Sequence, residues 1–276
     1  MKLSLGFSPC PNDTFMFDAL INKKINSGDY DFNLLIKDVE ELNNKAFNSE
    51  LDITKISYHA YTFISKQYEI LTSGSALGFK NGPLMISKRK IYPDELKNIK
   101  VAIPGKYTTA CLLLKIAYPE ITDLNEYLFS DIEDVVLSDE CDAGLIIHEN
   151  RFTYTQKGLR LITDLGDWWE KETKLPIPLG CIIIKRNLPQ KIKTEINALL
   201  KESIIYANNH VKEVLPFVRQ YAANMDENVM LKHIDLYVND YSLELNSIGK
   251  KAINALFAKA SEYRKIPPIP ENIFCS

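Results

Sequence analysis

Two α/β lobes closing on a cleft are what this sequence predicts, and three observations carry the prediction. Short apolar runs at the strand period alternate with segments at the helical period through most of the chain, the pattern of layered α/β structure. The 276 residues exceed the usual size of a single domain. At Leu175–Gly180, L-P-I-P-L-G, alternate prolines stiffen an extended segment and Gly180 admits close backbone approach, as a strand crossing between lobes requires. A second crossing is expected near Phe79–Arg89, where Gly82-Pro83 precedes a short strand. The first lobe is then discontinuous, 1–88 and 180–276, and the second spans 89–179.

The elements follow in order. Leu3–Phe7 alternates at the strand period and runs into the turn Ser8-Pro9-Cys10-Pro11, after which Thr14–Asn22 reads as a helix. Pro9 and Pro11 fix φ and push Ser8 and Cys10 toward extended backbone, while Asn12, Asp13 or Thr14 is placed to cap. Strands at Phe32–Lys37, Asp52–Ser57 and Tyr68–Thr72 alternate with helices at Val39–Phe47 and Tyr58–Lys66, with Ser57 as the natural cap of the latter. Further strands are predicted at Leu84–Ser87, Lys100–Ile103, Tyr127–Phe129, Ala143–Ile147, Leu159–Ile162 and Leu179–Lys185, with helices at Thr108–Ala117 and Ile132–Leu137. From Gln190 onward the pattern is helical, broken near His210, Asn224 and Asn246, and it closes on Pro267-Pro268-Ile269-Pro270.

Composition narrows the function. Hydrophobic residues make up 46% and charged residues 25%, and the net charge of −3 offers no basic surplus to recruit nucleic acid or an anionic membrane. The five cysteines are scattered without a C-x-x-C pair, which argues for reduced thiols rather than a disulfide framework or a zinc site. No stretch reads as a signal peptide or a membrane span, so a cytoplasmic protein is expected. Walker, G-x-G-x-x-G, G-x-S-x-G and H-x-x-x-H patterns are missing, and neither a metal nor a nucleotide cofactor is expected.

The chemistry concentrates at strand ends. Ser8–Thr14 brings hydroxyl, amide and carboxylate groups to the carboxyl end of the first strand, where open α/β sheets bind ligands, so Asn12, Asp13 and Thr14 are candidate cleft residues. His148 follows the apolar run Ala143–Ile147, which should deliver its imidazole to a cleft with a pKa suited to proton transfer; a loop histidine bonded to Glu149 or Asn150 is the plainer alternative. Gly105-Lys106-Tyr107-Thr108-Thr109-Ala110 is a turn and helix start that offers free N–H groups to an anion, or an ordinary cap. Ser57 caps or binds. His59, His210 and His233 read as surface or satisfied, partly buried residues, and Trp168-Trp169 as packing.

Together, S-P-C-P-N-D-T at Ser8–Thr14, K-I-S at Lys55–Ser57, G-K-Y-T-T-A at Gly105–Ala110, the His148 strand end, D-L-G-D-W-W-E and L-P-I-P-L-G closely resemble the 1,4-dihydroxy-6-naphthoate synthases of the futalosine route to menaquinone. The resemblance spans nearly the whole chain. It implies a type II periplasmic-binding-protein-like fold used by a cytoplasmic, cofactor-independent carbon–carbon lyase acting on a small carboxylate, cyclic dehypoxanthine futalosine. It places substrate contacts on Lys55, Ile56, Ser57, Thr109 and Ala110 and the proton acceptor on His148. Lys174 and Cys181 stand where glycine is expected in many relatives. Chorismate dehydratase of the same pathway shares the fold and is the nearest alternative; a non-catalytic solute-binding protein is the alternative of a different class.

Overall fold

The computed structural model describes residues 1–222, 226–263 and 266–275. The chain opens with β1 (Lys2–Phe7), α1 (Pro11–Ile21), β2 (Asp31–Ile36), α2 (Val39–Phe47), β3 (Ile53–Ser57), α3 (Tyr58–Ile64), β4 (Tyr68–Ile70) and β5 (Ala76–Gly78). Next come β6 (Leu84–Ser87), β7 (Lys100–Ile103), α4 (Thr109–Ala117), β8 (Asp123–Glu126), α5 (Ile132–Leu137), β9 (Ala143–Ile146), β10 (Arg160–Asp164) and α6 (Leu165–Thr173). After β11 (Ile177–Lys185) the chain is helical: α7 (Gln190–Asn209), α8 (Val211–Tyr221), α9 (Glu227–Tyr237), α10 (Asp240–Leu243) and α11 (Ser247–Tyr263).

Two sheets result. One has the order β2-β1-β3-β11-β4 with β5 paired to β11, and the other β10-β6-β9-β7-β8. In the first, β1 is parallel to β2 and β3, while β11 returns antiparallel to β3, β4 and β5. The chain changes sheet between Gly78 and Leu84 and again between Asp164 and Ile177. Leu84–Ser87 thus pairs with β9 and β10 in the second sheet, although a division after residue 88 assigns it to the first lobe; Ile177 and Pro178 pair with β5 in the first sheet. A four-residue strand just past a crossing, three apolar residues and a serine, carries no mark of the sheet it will join. At the crossings Gly82 meets Gly166 backbone to backbone, where a Cβ on Gly82 would stand 2.3 Å from the Gly166 Cα.

β11 shows how the first sheet is buried on both faces. Ile182 and Ile184 pack with Leu3, Leu5, Phe7 and Leu200, whereas Cys181 and Ile183 join Ile56, Tyr58 and Trp169 on the other side. The Trp169 indole N–H donates to Pro176 O at 3.0 Å, so this side chain is core and braces the second crossing. Gly180 is needed opposite Ser57, because a Cβ there would lie 2.8 Å from the Ile56 carbonyl oxygen.

Several expected boundaries move for local reasons. α1 begins at Pro11, in the first-turn position that needs no N–H, after an extended Cys10 (φ −63°, ψ 146°) whose side chain makes no cap. The strand expected at Tyr127–Phe129 lies instead at Asp123–Glu126, a polar edge strand parallel to β7 without the apolar alternation that would reveal it. Lys174 closes α6 at φ 59°, the left-handed geometry that glycine adopts at lowest cost. Helix breaks occur at His210 and before Ser247, while the break expected near Asn224 lies outside the described residues. α9 packs against α1 and against the short helical turn His148–Phe152, which brings the helical last third to the cleft. Among the described residues no helix is long and apolar enough to cross a membrane.

Candidate active site

The ends of β1, β3 and β9, the start of α4 and the two crossings surround a cavity whose empty space, open mouth included, is about 660 Å³. Ser8, Asn12, Asp13, Lys55, Ser57 and His148 supply its polar wall. Ile56, Thr109 and Ala110 line it too.

Asp13 is the hub of one side. Its Oδ2 accepts from Ser8 Oγ at 2.6 Å and from Ser8 N at 3.2 Å, and its Oδ1 accepts from Asn12 Nδ2 at 2.8 Å. The Lys55 ammonium stands 3.2 Å from Asp13 Oδ1, both side chains being buried. That contact is an ion pair without the alignment of a directed hydrogen bond, so the Lys55 N–H groups retain donor capacity. A buried ammonium beside a carboxylate whose oxygens are already engaged is poised to receive a second anion.

On the opposite side stands the start of α4. Thr108, not Thr109, caps this helix, accepting from Cys111 N at 3.2 Å. The Thr109 hydroxyl donates to Leu179 O at 2.7 Å and accepts from His59 N at 3.2 Å, so its proton is engaged within the protein. What remains for a ligand at Thr109 and Ala110 is their pair of first-turn N–H groups, which no described residue accepts, at the positive end of the helix dipole. Ser57 also differs from expectation. It sits at the N-terminus of α3 without capping it, because its N–H donates to Asn43 Oδ1 at 2.9 Å and its Oγ accepts from Asn43 Nδ2 at 3.3 Å. The Ser57 hydroxyl donates to no acceptor among the described residues.

His148 follows β9 after one intervening residue, Ile147, in left-handed backbone (φ 60°) that a non-glycine residue adopts at a cost. Phe129 meets its ring edge-on at 4.9 Å between centroids, and His233 stacks at 6.1 Å. The Cys10 sulfur is 3.5 Å from Nδ1 and 3.7 Å from Nε2. Because Cε1 stands between those nitrogens, an in-plane sulfur equidistant from both would collide with it, so the sulfur lies over the ring face and spends neither lone-pair direction. Burial pushes the His148 pKa down to about 4, helped by Lys55 and opposed by Asp13. Burial, together with the charges of Glu149 and Asp13, pushes the Cys10 thiol well up. The pair is thus neutral thiol and neutral imidazole, unlike the thiolate–imidazolium pair of a cysteine nucleophile.

The cavity thus sets the His148 imidazole beside the Lys55 ammonium, the Ser57 hydroxyl and the first-turn N–H groups of α4. Residues 3–262 match the family described as menaquinone biosynthesis. The chain belongs to that family. A curated relative from Thermus thermophilus, named 1,4-dihydroxy-6-naphtoate synthase, is 39% identical over 99% of this chain and 98% of its own length. A solved protein from Archaeoglobus fulgidus superposes with a TM-score of 0.90 at 36% identity, covering 95% of this chain and 97% of its own. The periplasmic aliphatic sulphonate binding protein from Escherichia coli superposes with a TM-score of 0.68 at 11% identity over 99% of this chain and 92% of its own. That last likeness establishes the type II periplasmic-binding-protein-like fold, two α/β lobes around a central cleft.

In this menaquinone-biosynthesis enzyme the cavity gathers all the singled-out polar residues except Thr14, whose hydroxyl turns inward to Cys10 O at 3.1 Å. Sequence reasoning missed Cys10 as the neighbour of His148 and read His233 as a surface or a satisfied, partly buried residue, whereas it is fully buried behind the cavity. It also missed Glu40, whose carboxylate accepts from Tyr107 N at 3.1 Å across the lobes and which burial pushes to a higher pKa. The amphipathic pattern of α9 marks His233 as inward-facing, and that was the available signal.

Proposed function

We propose that this chain converts cyclic dehypoxanthine futalosine into 1,4-dihydroxy-6-naphthoate and a small sugar-derived fragment, a carbon–carbon lyase reaction without redox change, with His148 as general base. The observation that carries this reading is the placement of the His148 imidazole on the wall of the cavity that Lys55, Ser57, Thr109 and Ala110 also line. As the sugar-derived ring opens, His148 takes the proton, and aromatisation of the new ring makes the overall step downhill. General-base catalysis typically contributes about 10²–10⁴-fold. The imidazolium that forms is favoured by the Asp13 charge.

Lys55, the Ser57 hydroxyl and the N–H groups of Thr109 and Ala110 hold the substrate carboxylate or a developing oxyanion, with Ile56 lining the same wall. These groups come from both lobes, so closure on the substrate completes the site and excludes water. Asn12 and Asp13 act from behind, fixing Lys55. Five free cysteines, all buried, are consistent with action in the cytoplasm. Incubation with the cyclic substrate followed by mass spectrometry tests the reading. Naphthoate formation is expected; substrate recovered unchanged from a stable complex would instead mark a solute-binding protein.

A further inference from the structure

His233 on α9 is a fully buried histidine whose ring lies between His148, at 6.1 Å, and Tyr237, at 4.6 Å between centroids. Its Nε2 is 3.0 Å from Asn12 Oδ1. The Asn12 amide nitrogen is committed to Asp13 Oδ1 at 2.8 Å, so its oxygen faces His233, and an amide oxygen only accepts. Nε2 therefore carries the imidazole proton and Nδ1 the lone pair, which has no partner among the described residues. One line of contacts then runs from His233 through Asn12 to Asp13, and from Asp13 to the Lys55 ammonium at 3.2 Å.

The device resolves an ambiguity in Asn12. An asparagine amide fits one space in two orientations, and the wrong one here would set its oxygen against the Asp13 carboxylate, acceptor facing acceptor. The N–H of His233 selects the other. We propose that His233 is a positioning residue, which fixes the amide of Asn12 and thereby the aim of the Asp13–Lys55 pair into the cavity while its ring backs His148. The inference rests on the reading of Lys55 and His148 given above.

Two substitutions separate this role from packing. His233→Phe keeps a ring in the buried site and removes the donor; His233→Gln supplies an N–H for Asn12 and fills the space less well. With circular-dichroism melts verifying that both fold, His233→Phe should lower kcat/KM at least tenfold, within the ~10²-fold that a 1 Å misplacement can cost, while His233→Gln retains most of it. Packing alone gives the reverse order, and Phe equal to or better than Gln overturns the proposal. Nitrogen-15 NMR of the wild-type protein supplies a readout independent of variant folding: the His233 resonances should show protonated Nε2 and bare Nδ1, and the opposite tautomer contradicts the proposal. His148→Asn run in parallel keeps the two claims apart. Normal turnover in that variant refutes the base assignment, whereas an inactive His148→Asn alongside a fully active His233→Phe refutes only the positioning role.

Discussion

The Thr109 hydroxyl, on the second lobe, donates to the Leu179 carbonyl on the strand that returns to the first, at 2.7 Å. The same oxygen accepts from His59 N, so one side chain ties the start of α4 to both α3 and the crossing. Thr109→Val keeps the shape and strips Leu179 O of its donor, a loss of about 0.5–1.5 kcal/mol for a half-buried hydrogen bond. The variant should melt several degrees lower and bind substrate more weakly, and Thr109→Ser should recover both. Equal melting temperatures for wild type and Thr109→Val would show that the bond does not hold the lobes.

Ser57→Ala separates binding from stability. Asn43 still receives the Ser57 N–H, so folding should change little. The hydroxyl proton is available to an anion, and hydrogen bonds to charged groups contribute about 1.5–3 kcal/mol, so calorimetry should show affinity for the carboxylate substrate falling by roughly 10- to 100-fold. Unchanged affinity removes Ser57 from the anion site.

Cys10 is a test of the neutral pair. A thiol held protonated by burial neither attacks nor donates strongly. Cys10→Ser should keep turnover within an order of magnitude, and iodoacetamide near neutrality should modify the folded enzyme slowly at this position. A loss matching that of His148→Asn would make the sulfur a participant.

The depressed pKa of His148 sets two pH dependences. As a base it must be unprotonated, so kcat/KM should stay level from about pH 8 down to about pH 5 and fall near pH 4, not near the ordinary 6.5. For stability, the unfolded chain binds the proton between roughly pH 6.5 and 4 while the folded chain does not. Stability is therefore full above that window and declines as pH falls through it. Burial acts in the same direction on His233. Melts at pH 7 and pH 5 should show a smaller acid loss in His148→Asn than in wild type, and an acid limb near 6.5 in the rate profile would contradict the burial of this imidazole.

The fold was legible where periodicity was strong: β1, β3, β7, β9 and β11 lie close to their expected places because buried strands read as apolar runs. β8 and β5 were not, the first being polar at a sheet edge and the second only three residues long. Residue types and strand ends pointed Asp13, Ser57 and His148 toward the cavity they line, and the family resemblance added Lys55. They did not reveal how each hydroxyl is spent. Thr109 and Ser57 look alike in sequence as helix-start hydroxyls, yet the first is consumed by Leu179 and the second is left available because Asn43, fourteen residues earlier, takes over the local backbone contact. His233 sits 221 residues from Asn12, and no local pattern reports a pairing at that distance.

The central claim is that His148 removes the substrate proton, and single-turnover measurement of naphthoate formation by His148→Asn tests it most directly. Asparagine tolerates the left-handed backbone at this position and keeps some hydrogen bonding, but it cannot act as a base, so folding and substrate binding should be preserved while the chemical step slows by at least about 10²-fold. Naphthoate appearing at a near-normal rate from the folded variant would contradict the account.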